Sequence, residues 1–308
     1  MKVVYFLLIL SAIQLNAQEI IFSTNFPVRD FFIEDSTVVY IEKRSVKSYN
    51  MQTNRPDTLF KNNDFFVGGY GLKVFKDSTN NKIITASNEL IRDISSIRFY
   101  DLATKSVNKY HVYYTTEIMD FLIIPSQKLF CLSKKNLQIQ VFKYGGKQRY
   151  ISKDSIKLDA FSRKMSIYNE NLFFITDSGK LFGYNFKSHE KKLIFKGNEM
   201  LVNFVINKKT NQLFITNIKG DLIKLDLNDK YITKKIKLGN TITEAIKIVD
   251  DKYIVTGDWN GHINVIDQLS LDVLKQYNNK SRIIHIDSID DEIYTSSSDC
   301  TIKKWSVN

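Results

Sequence analysis

Short apolar runs separated by turn residues recur along most of the chain. One set shows the pattern well. Ala245-Ile246-Lys247-Ile248-Val249 stops at Asp250-Asp251, and Tyr253-Ile254-Val255-Thr256 stops at Trp259-Asn260-Gly261. Ile263 to Asp267 follows, and Asp272 to Tyr277 completes the set. Runs of about four to eight residues that alternate apolar and polar positions between Asn, Asp and Gly predict antiparallel strands. No stretch sustains the period of an amphipathic helix.

The set of four strands repeats. A bulky residue near the end of each third strand, usually followed by a polar one, stands at Tyr49, Tyr100, Phe142, Tyr184, Leu225, Ile266 and Trp305. The intervals are 51, 42, 42, 41, 41 and 39 residues. About ten residues before each lies a second apolar strand, Val38-Val39-Tyr40 in the first unit and Ile293-Tyr294-Thr295 in the last. Seven registers with this period predict an all-β fold, a seven-bladed β-propeller of four-stranded antiparallel blades. The seventh unit reaches Asn308 after only three strands, while Glu19 to Asn25 is a strand left over before the first unit. The N-terminal strand, about residues 19–25, is therefore expected to complete the last blade and close the ring, leaving no unpaired edge between the chain ends.

Ser297-Ser298-Asp299-Cys300-Thr301-Ile302-Lys303-Lys304-Trp305 resembles the closing half of a WD repeat, and Thr256-Gly257-Asp258-Trp259-Asn260-Gly261-His262-Ile263-Asn264-Val265-Ile266-Asp267 is similar. No Gly-His pair opens a repeat, and Trp fills the signature position once, at Trp305, so the likeness is to a diverged form. The resemblance implies an interaction platform, since WD repeats generally serve as one.

The first residues read as an address. Met1-Lys2 leads into the apolar run Val3 to Ile13 and then Gln14-Leu15-Asn16-Ala17. A single positive charge, a short apolar run and a small residue at the end match a secretory signal peptide, with cleavage expected after Ala17. The run is shorter than the ~20 residues that span a bilayer. The expected organisation is a signal peptide over 1–17 and a single propeller domain over 18–308, exported to the periplasm or the extracellular space, monomeric, with no transmembrane segment after cleavage.

Composition narrows the partners. The 308 residues carry 44 Lys+Arg against 33 Asp+Glu, a net charge of +11. Loss of Lys2 with the signal leaves 43 against 33. For an exported chain such a surplus points away from nucleic acid and toward an acidic protein or an anionic envelope glycan. With 43% hydrophobic residues, 12 Gly, 3 Pro and 2 Cys, the chain is neither disordered, collagen-like nor a disulfide scaffold. Cys131 and Cys300 belong to the third and seventh units, too far apart on a ring for a disulfide.

No convergent catalytic set emerges. His111, His189, His262 and His285 fall in different units, with no spacing that puts two on one metal. Asp177, Asp258, Asp299, Asp250-Asp251 and Asp290-Asp291 sit where turns need a side-chain acceptor. No cofactor and no metal are expected. What rises above background is one rim. The loops between second and third strands emerge on one face, and five of the seven carry Lys or Arg. Candidate partner-binding residues are Lys43, Arg44, Leu90, Arg92, Lys134, Lys135, Lys219 and Trp259, with Leu90 and Arg92 on a long excursion from Asn88 to Asp93. The sequence thus favours a non-enzymatic scaffold for a protein or glycan. The alternative is a propeller enzyme of the lactonase, glycan lyase or quinone-cofactor dehydrogenase type, with its site at the channel mouth.

Overall fold

The computed structural model describes residues 18–307 except 44, 61–68, 90–93, 108–111, 115, 125–128, 145–149 and 230. The expected signal segment and three rim candidates, Arg44, Leu90 and Arg92, lie outside the described residues. Seven antiparallel sheets form a ring, one for each repeat. Their innermost strands are Phe31–Glu34, Gly69–Asp77, Ile118–Ile124, Ser162–Tyr168, Leu201–Asn207, Thr243–Val249 and Ile283–Ile289, and each touches the next in cyclic order. No helix among the described residues is long and apolar enough to cross a membrane.

Each interface between neighbouring blades holds one hydrophobic cluster. The period of two along a strand supplies both neighbours at once. In Thr37–Glu42, Val38 and Tyr40 pack toward the seventh blade while Val39 and Ile41 pack toward the second. In Gln212–Asn217, Leu213 and Ile215 face the fourth blade and Phe214 the sixth. Second strands are therefore buried on both faces and read as continuous apolar runs, whereas outer strands such as Lys191–Lys196 are largely exposed and lysine-rich.

The repeat signature has a mechanical basis. The bulky residues at the ends of the third strands are all buried, Trp305 to 2% exposure. The polar residue after several of them caps the next turn. Asn50 Oδ1 accepts from the backbone N–H groups of Gln52 and Thr53 at 3.0 and 2.9 Å, and Asn185 Oδ1 from Lys187 and Ser188 at 2.9 Å each. Asp101 and Asp267 repeat the arrangement, and the donated hydrogen bonds hold both carboxyls below their ordinary range.

The ring closes as the sequence predicts. Gln18–Ser23 pairs antiparallel with Thr301–Ser306, from Gln18 opposite Trp305 to Ser23 opposite Thr301. Phe22 from this strand stacks on Tyr49 with ring centroids 4.3 Å apart, so the closing strand also touches the first blade.

The second blade departs from the sequence reading. Asn88 and Glu89 end a long strand, Lys82–Glu89, rather than opening a loop, and Asn88 is 1% exposed. Its amide donates to Ile118 O at 2.8 Å and accepts from Ile118 N at 3.1 Å, which ties the second blade to the third. The extra length in the 51-residue interval is thus shared between this longer hairpin and the connection that precedes Gly69–Asp77. The outer strand is split into Ser106–Val107 and Val112–Tyr114, both paired with Ile94–Asp101.

Candidate functional site

The inner strands begin at the face where the second strands end, so the axial channel opens among the loops that link second and third strands. A cavity of about 580 Å³ occupies this mouth. Its lining follows from a repeated defect. In six blades the inner strand bulges at one register, skipping Leu72, Met119, Arg163, Val202, Glu244 and Ile284 in the ladder. A bulge re-aims the unpaired residue, and all six line the cavity.

The residue after each bulge makes a second ring, in which Asp30 of the first blade joins Lys73, Asp120, Lys164, Asn203, Ala245 and His285. Most of these side chains staple one blade to the next. Asp30 Oδ2 accepts from Val74 N at 2.8 Å, and Asp120 Oδ2 accepts from Met165 N at 2.5 Å. Lys73 donates to Phe121 O at 3.2 Å and pairs with Asp120. Asn203 Nδ2 donates to Glu244 O at 2.7 Å. His285 Nδ1 lies 3.2 Å from Asp30 Oδ1, and burial holds the imidazole below its ordinary pKa despite the pull of Asp30 and Asp287. Two residues further along the inner strands, Lys247 pairs with Asp287 at 2.7 Å, and Asp287 Oδ2 accepts from Ile33 N at 3.0 Å. The Lys164 ammonium makes no hydrogen bond or ion pair among the described residues. Burial, reinforced by the Lys73 charge, pushes its amine down to about 8.

The rim is built from stacked and forked pairs. Glu244 accepts from Arg282 through Nε at 2.6 Å and Nη2 at 2.8 Å, and from the Trp259 indole N–H at 2.9 Å. The Arg282 guanidinium lies 4.4 Å from the Trp259 ring centroid. Arg163 forks onto Asp177 at 2.8 and 3.0 Å. Arg29 lies over Tyr70 at 4.1 Å, and Lys43 over Phe26 at 4.0 Å.

Among the sequence-derived candidates, Trp259 sits on this rim 43% exposed, both displayed and braced by the neighbouring blade. Lys43 and Lys219 are exposed in their turns. Lys135 is exposed and pairs with Glu117 at 2.9 Å. Lys134 is instead the last residue of Leu129–Lys134, 8% exposed, and burial lowers its pKa. Sequence reasoning missed Arg29, Arg163, Glu244 and Arg282. Their signal was positional, since they lie at or just before the starts of inner strands, on the same face as the loops that were inspected.

The remaining chemistry is local. His189 and His262 each face one aspartate, Asp154 at 2.7 Å and Asp258 at 3.0 Å, while His111 lies outside the described residues. Asp258 Oδ1 accepts from the N–H groups of Asn260 and His262 at 2.9 and 2.8 Å, and Asp299 Oδ1 accepts from Thr301 N at 3.1 Å, as the turn reading expects. Asp177 serves Arg163 instead. Among the described residues no three His, Cys, Asp or Glu side chains gather as a metal site. Cys131 is buried and Cys300 half-buried, and both are free thiols.

No protein-family profile matches the chain, and no curated protein matches it in sequence. Solved structures do match in shape. The WD40 β-propeller domain of Doa1 superposes with a TM-score of 0.77 at 10% identity, covering 95% of this chain and 98% of that one. The computationally designed Ika8 protein superposes at 0.67 with 12% identity, covering 93% and 98%. The fold is that of a seven-bladed β-propeller, similar in shape to a WD40 propeller domain.

Proposed function

We propose that the protein is an exported, non-enzymatic scaffold that holds an acidic protein or anionic envelope glycan on the face where the axial channel opens. The observation that carries this reading is the Trp259–Arg282–Glu244 cluster, an exposed aromatic ring with a guanidinium already stacked on it and fixed by a carboxylate. Tryptophan and arginine are enriched among the few residues that carry most of the energy of a binding surface. A side chain ordered before binding also loses less entropy on contact. Lys43, Lys135 and Lys219 stand around the same mouth and favour a partner of opposite charge. Arg44, Leu90 and Arg92, grouped with this rim by sequence, lie outside the described residues. Fold likeness leaves the partner open, because propellers host many functions. Export rests on the Met1 to Ala17 pattern.

Affinity capture from envelope extract tests the reading. The chain over 18–308 is expected to retain a stoichiometric partner, and Trp259→Ala combined with Lys43→Glu, Lys135→Glu and Lys219→Glu is expected to lose it while keeping the parent's circular dichroism. Equal retention by the folded variant places the contact on another face. Failure of the parent to retain any partner removes the scaffold reading.

A further inference from the structure

Lys164 is out of balance with the ring around it. The lining of the axial cavity carries five Lys or Arg side chains and four carboxylates, while His285 is held toward its neutral form. Lys73 is matched by Asp120 and Arg282 by Glu244. Arg163 and Glu117 take partners just beyond the lining, Asp177 and Lys135. Asp30 is satisfied by Val74 N and His285, and Arg29 rests on the Tyr70 ring. The cavity therefore holds one surplus positive charge, and its one inward ammonium without a hydrogen-bond or ion-pair partner among the described residues is Lys164. Lys164 is half-buried and feels Asp120 and Asp30 without a hydrogen bond to either, so a bound anion completes a partly desolvated cation.

The bulged residues supply the second half of the site. Leu72, Met119, Val202 and Ile284 present apolar side chains to the same cavity. A cavity of about 580 Å³, with most of its charges paired and apolar side chains entering from four blades, has the size of a small-molecule site.

We infer that the axial channel binds a small organic monocarboxylate, its carboxylate against Lys164 and its apolar body among the side chains of Leu72, Met119, Val202 and Ile284. A single negative charge fits better than a phosphate. The surplus is one charge, and Asp30 and Asp120, whose fields both reach Lys164, repel a second. The site lies inside the channel and does not depend on which partner the rim takes.

The sign of the pH dependence follows from the amine. The groups that act on Lys164 are Lys73 and Lys247, which disfavour its ammonium form, and Asp120 and Asp30, which favour it. With the free amine near 8, the ammonium that an anion needs is present below that pH and is lost as pH rises through it. Between pH 7 and 9.5 the affinity is expected to fall by at least roughly tenfold.

The test is isothermal titration of the protein with hexanoate, and with hexanamide as its neutral isostere. The expected results are saturable hexanoate binding at or below the millimolar range, a loss of tenfold or more in Lys164→Met with the thermal melt retained, a fall on raising the pH, and no binding of hexanamide. Absence of hexanoate binding by the parent up to about 10 mM overturns the proposal, as does unchanged affinity in folded Lys164→Met. If Lys164→Met does not fold, the two ligands on the parent still decide, since equal binding of hexanamide and hexanoate overturns the role of the charge.

Discussion

Trp305 shows how a single residue in this chain takes its meaning. It is 2% exposed, its indole N–H donates to Thr295 Oγ1 at 2.9 Å, and its ring lies 5.4 Å from Tyr277. It packs between the sixth and seventh blades, so truncation empties an interface that both blades share. Trp305→Ala is expected to cost about 3–5 kcal/mol, read as a lower urea midpoint with an unchanged slope. An unchanged midpoint would show that this interface carries no stability. The role of Trp305 was legible from sequence because the repeat marks its position. That of Glu244 was not. Its carboxylate gains a purpose only when Trp259 of its own blade and Arg282 of the next converge on it, and the three are spread over 38 residues of chain. Lys164 was illegible for a related reason. An unmatched charge is visible only once every neighbouring charge has been placed.

At the scale of elements, turn chemistry and apolar runs marked strand after strand, and the leftover N-terminal strand pointed to ring closure. Three features stayed hidden. Alternation sends successive side chains to two different blades, so the second strands carry no polar face and their pairing cannot be read from amphipathicity. The bulges add one residue without changing composition, yet they decide which side chains enter the channel. In the second blade, the polar pair Asn88-Glu89 resembled a loop because nothing in the local sequence shows that Asn88 will find Ile118 of the next blade. The closing strand yields a prediction at this scale. Removal of residues 18–25, or truncation before Asp299, is expected to abolish the cooperative melt of the whole ring, because either change leaves the seventh blade unpaired and opens its interface with the first. A truncated chain that melted at the parent's temperature would show that closure by this strand is dispensable.

The whole molecule is a ring of seven interfaces, each with its own apolar cluster, and among the described residues every such cluster is shared by two neighbouring blades. Such a ring offers two faces that differ in chemistry. One carries the channel mouth, Trp259 with Arg282, and exposed lysines at positions 43, 135 and 219. The other carries the turns between first and second strands, among them Lys209 paired with Asp251 and the left-handed Asp250, Asp251 and Asp290. The Asp250 carboxyl there is pushed up by burial and by Asp291, so Asp250, Asp251, Asp290 and Asp291 form a local concentration of carboxylates on that face. The acidic partner proposed above is expected to approach the mouth rather than the opposite face.

Site-specific photocrosslinking in intact cells tests that claim most directly, with a benzophenone side chain placed at Lys219 on the mouth face or at Lys209 on the opposite face. The account predicts an adduct of one defined mass from position 219 and none from 209. Adducts from 209 alone, or from neither position, would contradict it.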